Sequence, residues 1–187
     1  MKKLIAVALL CAAGSAWVVA DEVQDYSAEA RGLIQEFGGS LKAKLQAAMK
    51  EGGPTNAIGV CNTEAPGIAK EVSEKSGWSV ARTSLKLRNP GNRPDEWELA
   101  VLKQFEDRKA QGEDVTKMDY AEVVEEDGQR TFRYMKAIPT GAVCLNCHGA
   151  QVSDEVTAKL SELYPTDEAT GFKEGDIRGA FTLSKPL

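Results

Sequence analysis

Apolar side chains recur every three or four positions between Ser27 and Lys50, at Ala30, Leu33, Ile34, Phe37, Leu41, Leu45, Ala48 and Met49. That spacing predicts an amphipathic helix, with Gly38-Gly39 as a possible bend and Gly52-Gly53-Pro54 as its stop. Thr55 can cap a shorter second helix carrying Ile58 and Cys61, Pro66 predicts a break or restart, and Ile68, Ala69 and Val72 continue the apolar face to Gly77. From Trp78 to Leu85 the period shortens to two, which predicts a strand with Trp78, Val80 and Arg82 on one face. A basic, turn-rich loop, Arg88-Asn89-Pro90-Gly91-Asn92-Arg93-Pro94, follows. Asp95-Glu96-Trp97-Glu98 then has the form of a capping box opening a helix through Trp97, Val101 and Phe105.

The segments 120–125 and 130–138 flank Asp127-Gly128, a strong hairpin signal. Ser153 predicts the cap of a helix through Val156, Leu160 and Leu163 that ends at Tyr164-Pro165. Ile177, Gly179, Phe181 and Leu183 alternate with Arg178, Ala180, Thr182 and Ser184 in a closing strand. Helices first, then strands interleaved with helices, predict an α+β fold with an antiparallel sheet, as one domain over 21–187.

The first twenty residues read differently. Lys2 and Lys3 precede an apolar run from Leu4 to Cys11, and small residues lead to Val18-Val19-Ala20, the pattern of a secretory signal peptide cut after Ala20 or, alternatively, Ala16. Leu10 before Cys11 argues against lipidation, and nothing after residue 20 is apolar enough over a sufficient length to span a bilayer. The expectation is an exported, periplasmic, soluble protein. Loss of the leader removes two lysines and no acid, leaving 21 basic against 28 acidic side chains, a net charge of −7. Such a surface argues against nucleic acid and anionic membranes and is compatible with a basic redox partner.

Chemistry concentrates in Cys144-Leu145-Asn146-Cys147-His148. Two thiols three positions apart with an imidazole directly after the second form the attachment pattern of a c-type haem, with thioether bonds from both cysteines and the histidine as iron ligand. Half of a zinc site or a plain disulfide are the blander readings, and neither accounts for the histidine. His148 is the only histidine in the chain, so ligation by two histidines of one monomer is excluded. From the residues alone, the second axial position is open between Met49, Met118 or Met135, Cys61, a lysine, and no ligand. Cys61 has no partner once Cys144 and Cys147 are used, and near a helix start the backbone dipoles favour its thiolate. Arg82, Arg88, Arg93 and Arg178 are candidates for the haem propionates, Arg82 and Arg178 first because strands hold side chains rigidly. Trp78, Trp97, Tyr134 and Phe181 are candidates to line the ring.

Several segments together carry a resemblance: Ala57-Ile58-Gly59-Val60-Cys61 with Ala65-Pro66, Arg82-Thr83-Ser84-Leu85-Lys86-Leu87-Arg88-Asn89-Pro90 with Asn92, Trp97-Glu98, Cys144 to Gly149, and Tyr164-Pro165 through Gly175-Asp176-Ile177-Arg178-Gly179. From the first mature helix to the C-terminus the chain resembles the PAS-like c-type haem domains catalogued as a domain of unknown function. The resemblance implies a PAS-like antiparallel sheet with flanking helices, and an iron held by His148 on one side and the Cys61 thiolate on the other. Members of that family occur alone or as the extracytoplasmic sensing part of signalling proteins, and since this sequence carries no kinase or membrane segment a sensing role requires a separate signalling partner. A thiolate stabilises ferric iron and lowers the potential relative to a His/Met centre. The expected function is therefore a redox or small-ligand sensor with one covalent haem c, the alternative being a periplasmic electron-transfer cytochrome. An enzyme is not expected, since no second histidine supplies distal acid–base chemistry.

Overall fold

Gly52 and Gly53 reverse the long helical segment α1 (Gly14–Ser76): Gly52 lies at φ −148°, ψ 19° and Gly53 at φ 71°, ψ −164°, a backbone conformation that glycine adopts without steric cost. The Asn56 amide returns to the Ala48 carbonyl at 3.1 Å, Lys44 pairs with Glu64, and Lys75 pairs with Glu36. Those pairings run antiparallel, so α1 is a helical hairpin and the expected stop is its turn. The computed structural model describes the backbone from residue 14 and side chains from residue 22. The expected leader, including Cys11, lies outside the described residues except for the backbone of 14–20, which belongs to α1.

Two expected interruptions do not occur. The backbone at Pro66 stays helical, because a proline removes only its own bond to the carbonyl four residues back and the flanking turns remain paired. The backbone at Gly38-Gly39 is also helical. Gly38 instead makes room for a neighbour, since a Cβ there would sit 3.1 Å from the tip of Phe181.

Beyond the hairpin, β1 (Ser79–Thr83), α2 (Glu96–Ala110), β2 (Asp119–Glu126), β3 (Gln129–Pro139), α3 (Leu145–His148), α4 (Asp154–Leu163) and β4 (Ile177–Pro186) follow in order. The four strands form one antiparallel sheet in the order β1-β4-β3-β2. Asp127 and Gly128, at φ 52° and 77°, make the two-residue turn between β2 and β3, whose twist matches that of the strands. Asp95 and Glu98 form the expected capping box at the start of α2. The architecture is thus the expected α+β fold: a four-stranded antiparallel sheet, flanking helices and a long N-terminal helix.

Both faces of the sheet are covered. On one, Ala30, Ile34, Phe37 and Val72 of α1 pack against Trp78, Val80, Phe132, Tyr134 and Leu183. On the other, Val101, Leu102 and Phe105 of α2 join Val115, Met118, Met135, Ala137, Ile177 and Ala180. A fully buried side chain of this kind contributes about 1.5–3 kcal/mol. Because β4 is a central strand, its alternation does not divide core from solvent: Ala180 and Thr182 are buried as well as Leu183. A bulge opposite Ile138 and Pro139 also shifts the register, so Ile177 falls on the α2 side with Ala180. At this irregularity Gly179 has φ 154°, and a Cβ on it would collide with the Thr83 carbonyl. β1 and β3 end, and β4 begins, at the same end of the sheet. The candidate site is built there.

Candidate functional site

Thr140 fixes the chain as it leaves β3: its N–H donates to the Asp176 carbonyl at 2.7 Å, and its carbonyl accepts from Gly175 N–H at 2.8 Å. A single 3-10 turn over 142–144 leads into the one-turn helix α3. Cys144 and Cys147 are therefore one turn apart on neighbouring positions of a helical surface, both half-buried thiols. The far side of the segment is tied down by backbone bonds from Gly171 N–H to the Gly149 carbonyl, 3.0 Å, and from Phe172 N–H to the His148 carbonyl, 2.9 Å. Ser153 caps α4, whose Val156 and Leu160 pack with Ile58 of α1, with Cys147 at the edge of that cluster.

The imidazole of His148 has a defined tautomer. Nδ1 lies 2.7 Å from the Ala169 carbonyl oxygen, and a carbonyl can only accept, so Nδ1 carries the proton and Nε2 keeps its lone pair. Arg88 Nη1 lies 3.4 Å from Nε2, Arg178 Nε lies 3.1 Å from Nδ1 and 3.4 Å from Nε2, and the Phe172 ring meets the imidazole edge-on at 6.2 Å. Burial, and then the Arg178 and Arg88 charges, push the imidazole down to about 2, so it is neutral near pH 7.

Two arginines touch the imidazole and a third, Arg82, acts on it only through its charge; the three are not equivalent. Arg88 forms a buried two-bond pair with Asp167, Nε at 3.2 Å and Nη2 at 3.0 Å, and Nη2 also donates to the Cys147 carbonyl at 2.6 Å and the Ala169 carbonyl at 3.2 Å. Arg178 sits in the β4 bulge, with Nη1 donating to Ser84 Oγ at 3.0 Å and to the Lys86 carbonyl at 3.3 Å while its guanidinium lies over Phe172. Arg82 projects from β1 over the Phe37 ring, 5.7 Å away. Among the described residues neither Arg82 nor Arg178 forms an ion pair with a carboxylate. Burial lowers both guanidiniums, Arg178 to about 10.

Cys61 lies on the second arm of α1, half-buried. Burial pushes its thiol up, against the opposing pull of Arg82 and Arg88. The expected help from a helix start is absent because Cys61 stands seven residues past Pro54, beyond the first turn where backbone dipoles act. The charges of Arg82 and Arg88 pull the Cys61 thiol and the His148 imidazole down alike, against burial at the first and with it at the second. Among the described residues no three His, Cys, Asp or Glu side chains converge, so the site offers no closed zinc cage. It offers an imidazole nitrogen, a sulfur, two thiols one turn apart, and two unpaired cations.

Other candidates from the sequence lie elsewhere. Met118 and Met135 are fully buried in the cluster under α2, on the sheet face opposite α1. Met49 ends the first arm of the hairpin, and Arg93 is exposed after the 3-10 turn over 90–92. Trp78 donates to Glu29, Trp97 stacks with Arg133, and Tyr134 donates to Asp119, which makes all three structural. Phe181 packs on Phe37 beside the cross-strand position of Arg82. Ser84 stood only within a resembling segment, and Asp167, Ala169 and Phe172 were missing from the sequence reading. Their local signal is the turn after Tyr164-Pro165, which marks a loop without marking what it grips.

No helix among the described residues is long and apolar enough to cross a membrane. No curated protein matches the chain in sequence. The crystal structure of the cyanobacterial heme-protein Tll0287 is similar, with a TM-score of 0.63 and 27% sequence identity, covering 89% of this chain and 96% of that one. The family described as Tll0287-like (Tll0287) matches residues 11–186. With nearly its whole length matched and the same architecture in the solved relative, the chain belongs to the Tll0287-like family.

Proposed function

We propose that this protein binds one haem c, attached through Cys144 and Cys147 and held axially by His148 Nε2 and the Cys61 sulfur, and acts in the periplasm as a redox or small-ligand sensor. The observation that carries the reading is the pair of half-buried guanidiniums, Arg82 and Arg178, which among the described residues have no carboxylate partner, in the neighbourhood of a neutral imidazole whose Nε2 carries no proton. Buried charge without a partner costs several kcal/mol, and two propionates supply two partners. The heme named in the solved relative supports the same assignment.

Bound haem supplies one-electron chemistry and, at an open coordination position, affinity for small gases. The chain supplies the rest. The Ala169 carbonyl orients the imidazole and raises its donor strength. Arg82 and Arg88 favour negative charge on the Cys61 sulfur, while burial favours its proton. That balance supports a sulfur able to leave, which suits a sensor coupled to a signalling partner. The exposed Ala142, Val143 and Asn146 around the attachment turn support the alternative of electron transfer to a basic redox partner. Neither reading gives the chain a catalytic residue.

Electron paramagnetic resonance of the ferric protein beside Cys61→Ala tests the ligand set. The expected result is a low-spin signal in the native protein and high spin in the variant, with a pyridine haemochrome assay giving one covalent haem in each. An unaltered signal in Cys61→Ala removes the sulfur ligand. A ligand set that is the same in both oxidation states selects the electron carrier over the sensor, and N-terminal sequencing of the mature protein tests export.

A further inference from the structure

Arg88 differs from its two neighbours in having its own carboxylate, and its position makes a role as a haem anchor unnecessary. Asp167 Oδ1 accepts from the Ala169 N–H at 2.9 Å while both Asp167 oxygens accept from Arg88. Arg88 Nη2 reaches the Ala169 carbonyl, the same oxygen that takes the proton of His148 Nδ1. A second Nη2 bond ends on the Cys147 carbonyl, next to the histidine in sequence. The contacts close a ring from Arg88 through Asp167 and Ala169 to His148 and back through Cys147. Both charged side chains are about nine-tenths buried, at 10% and 9% exposure, so water competes little for these bonds.

We infer that Asp167 and Arg88 are a positioning pair: they hold the carbonyl that decides which nitrogen of His148 is free, and with it the orientation and donor strength of the ring. The physical reason is that a carbonyl on a loop is a mobile acceptor, whereas one pinned through its own N–H and its own oxygen is not. Outer partners of this kind tune a ligand that they do not themselves replace. Phe172, edge-on to the ring and held through its N–H by the His148 carbonyl, closes the remaining side. The inference rests on the proposed ligand role of His148 for its redox consequence, and on the described contacts alone for the tautomer.

Because His148 is the only histidine, its ring nitrogens give unambiguous 15N resonances. In the protein as purified, Asp167→Asn and Asp167→Ala are expected to speed exchange of the Nδ1 proton by roughly tenfold or more, the factor that loss of a hydrogen bond to a charged group supports. In haem-loaded material the midpoint potential is expected to rise, since a less firmly held imidazole is a weaker donor to ferric iron, and the low-spin signal to broaden. Tyr134→Phe, which removes the phenol's bond to Asp119 on the edge strand β2 and touches none of the His148 contacts, is expected to lower stability while leaving exchange, potential and signal at native values. Exchange, potential and signal unchanged in both Asp167 variants, or moved equally by Tyr134→Phe, would overturn the positioning role. Native protein without covalent porphyrin would overturn the haem reading alone, because the ring-nitrogen experiment reports the tautomer in either case.

Discussion

Two polar clusters on the same sheet obey different rules. In the first, Asp119 accepts from Tyr134 Oη at 2.6 Å and from Arg31 Nη2 at 3.0 Å, so the fully buried phenol and the arginine share one carboxylate and every group has a partner within the chain. In the second, Arg88 has Asp167, while Arg82 and Arg178 have rings, hydroxyls and carbonyls but no acid. Folding alone explains the first cluster. The second has two positive charges more than folding accounts for, and such an excess is tolerable where an anionic group from outside completes it.

Substitutions should therefore have opposite signs at the two places. The largest effect is expected from Asp119→Ala, which leaves the Tyr134 hydroxyl buried without a partner and should cost about 2–3 kcal/mol in denaturant unfolding, with haem content unchanged. Arg82→Met should do the reverse in a porphyrin-free background made by Cys144→Ala and Cys147→Ala: a gain of about 1–2 kcal/mol, because a desolvated charge is replaced by an apolar chain of similar length. In otherwise native protein the same substitution should reduce haem loading. Destabilisation by Arg82→Met in the porphyrin-free background would break the contrast.

The smallest effect concerns acid. Burial raises the Asp119 carboxyl, but the bonds from Tyr134 and Arg31 outweigh it and hold the group below its usual value of 3.8. A carboxyl depressed in the folded state adds stability that is complete above the unfolded value and disappears as pH falls through the folded one. Unfolding followed from pH 5 down to pH 2 should thus show a loss below about 3.8 that Asp119→Asn flattens. A variant with the same slope as the native protein would assign the acid sensitivity to other carboxyls.

Much of this arrangement could be read from local pattern. Asp127-Gly128, the Asp95 and Glu98 capping box, and Ser153 ahead of α4 each act within a few residues, and each appears where its chemistry requires. The Cys144–His148 motif is equally local, with the chain's lone histidine in it. The pattern failed where distant segments decide the outcome. Pro66 remains in a helix because the rest of the arm is packed, and the alternation of β4 separates two cores rather than core from water. Asp167 and Ala169 have no periodicity to mark them, and only the return of their loop onto His148 gives them a role. Arg88 was grouped with Arg93 by composition, yet one is buried against Asp167 and the other is exposed.

The helical hairpin has one more consequence, which belongs to the denatured chain. It carries Cys61 toward a histidine 87 positions later, so a metal joining the two would close nearly half of the chain into a loop. A tether of that span restricts the disordered ensemble as a long-range disulfide does, by about 4–5 kcal/mol in the chain-entropy picture. Breaking the iron–sulfur bond would then loosen the entire domain as well as freeing a coordination position.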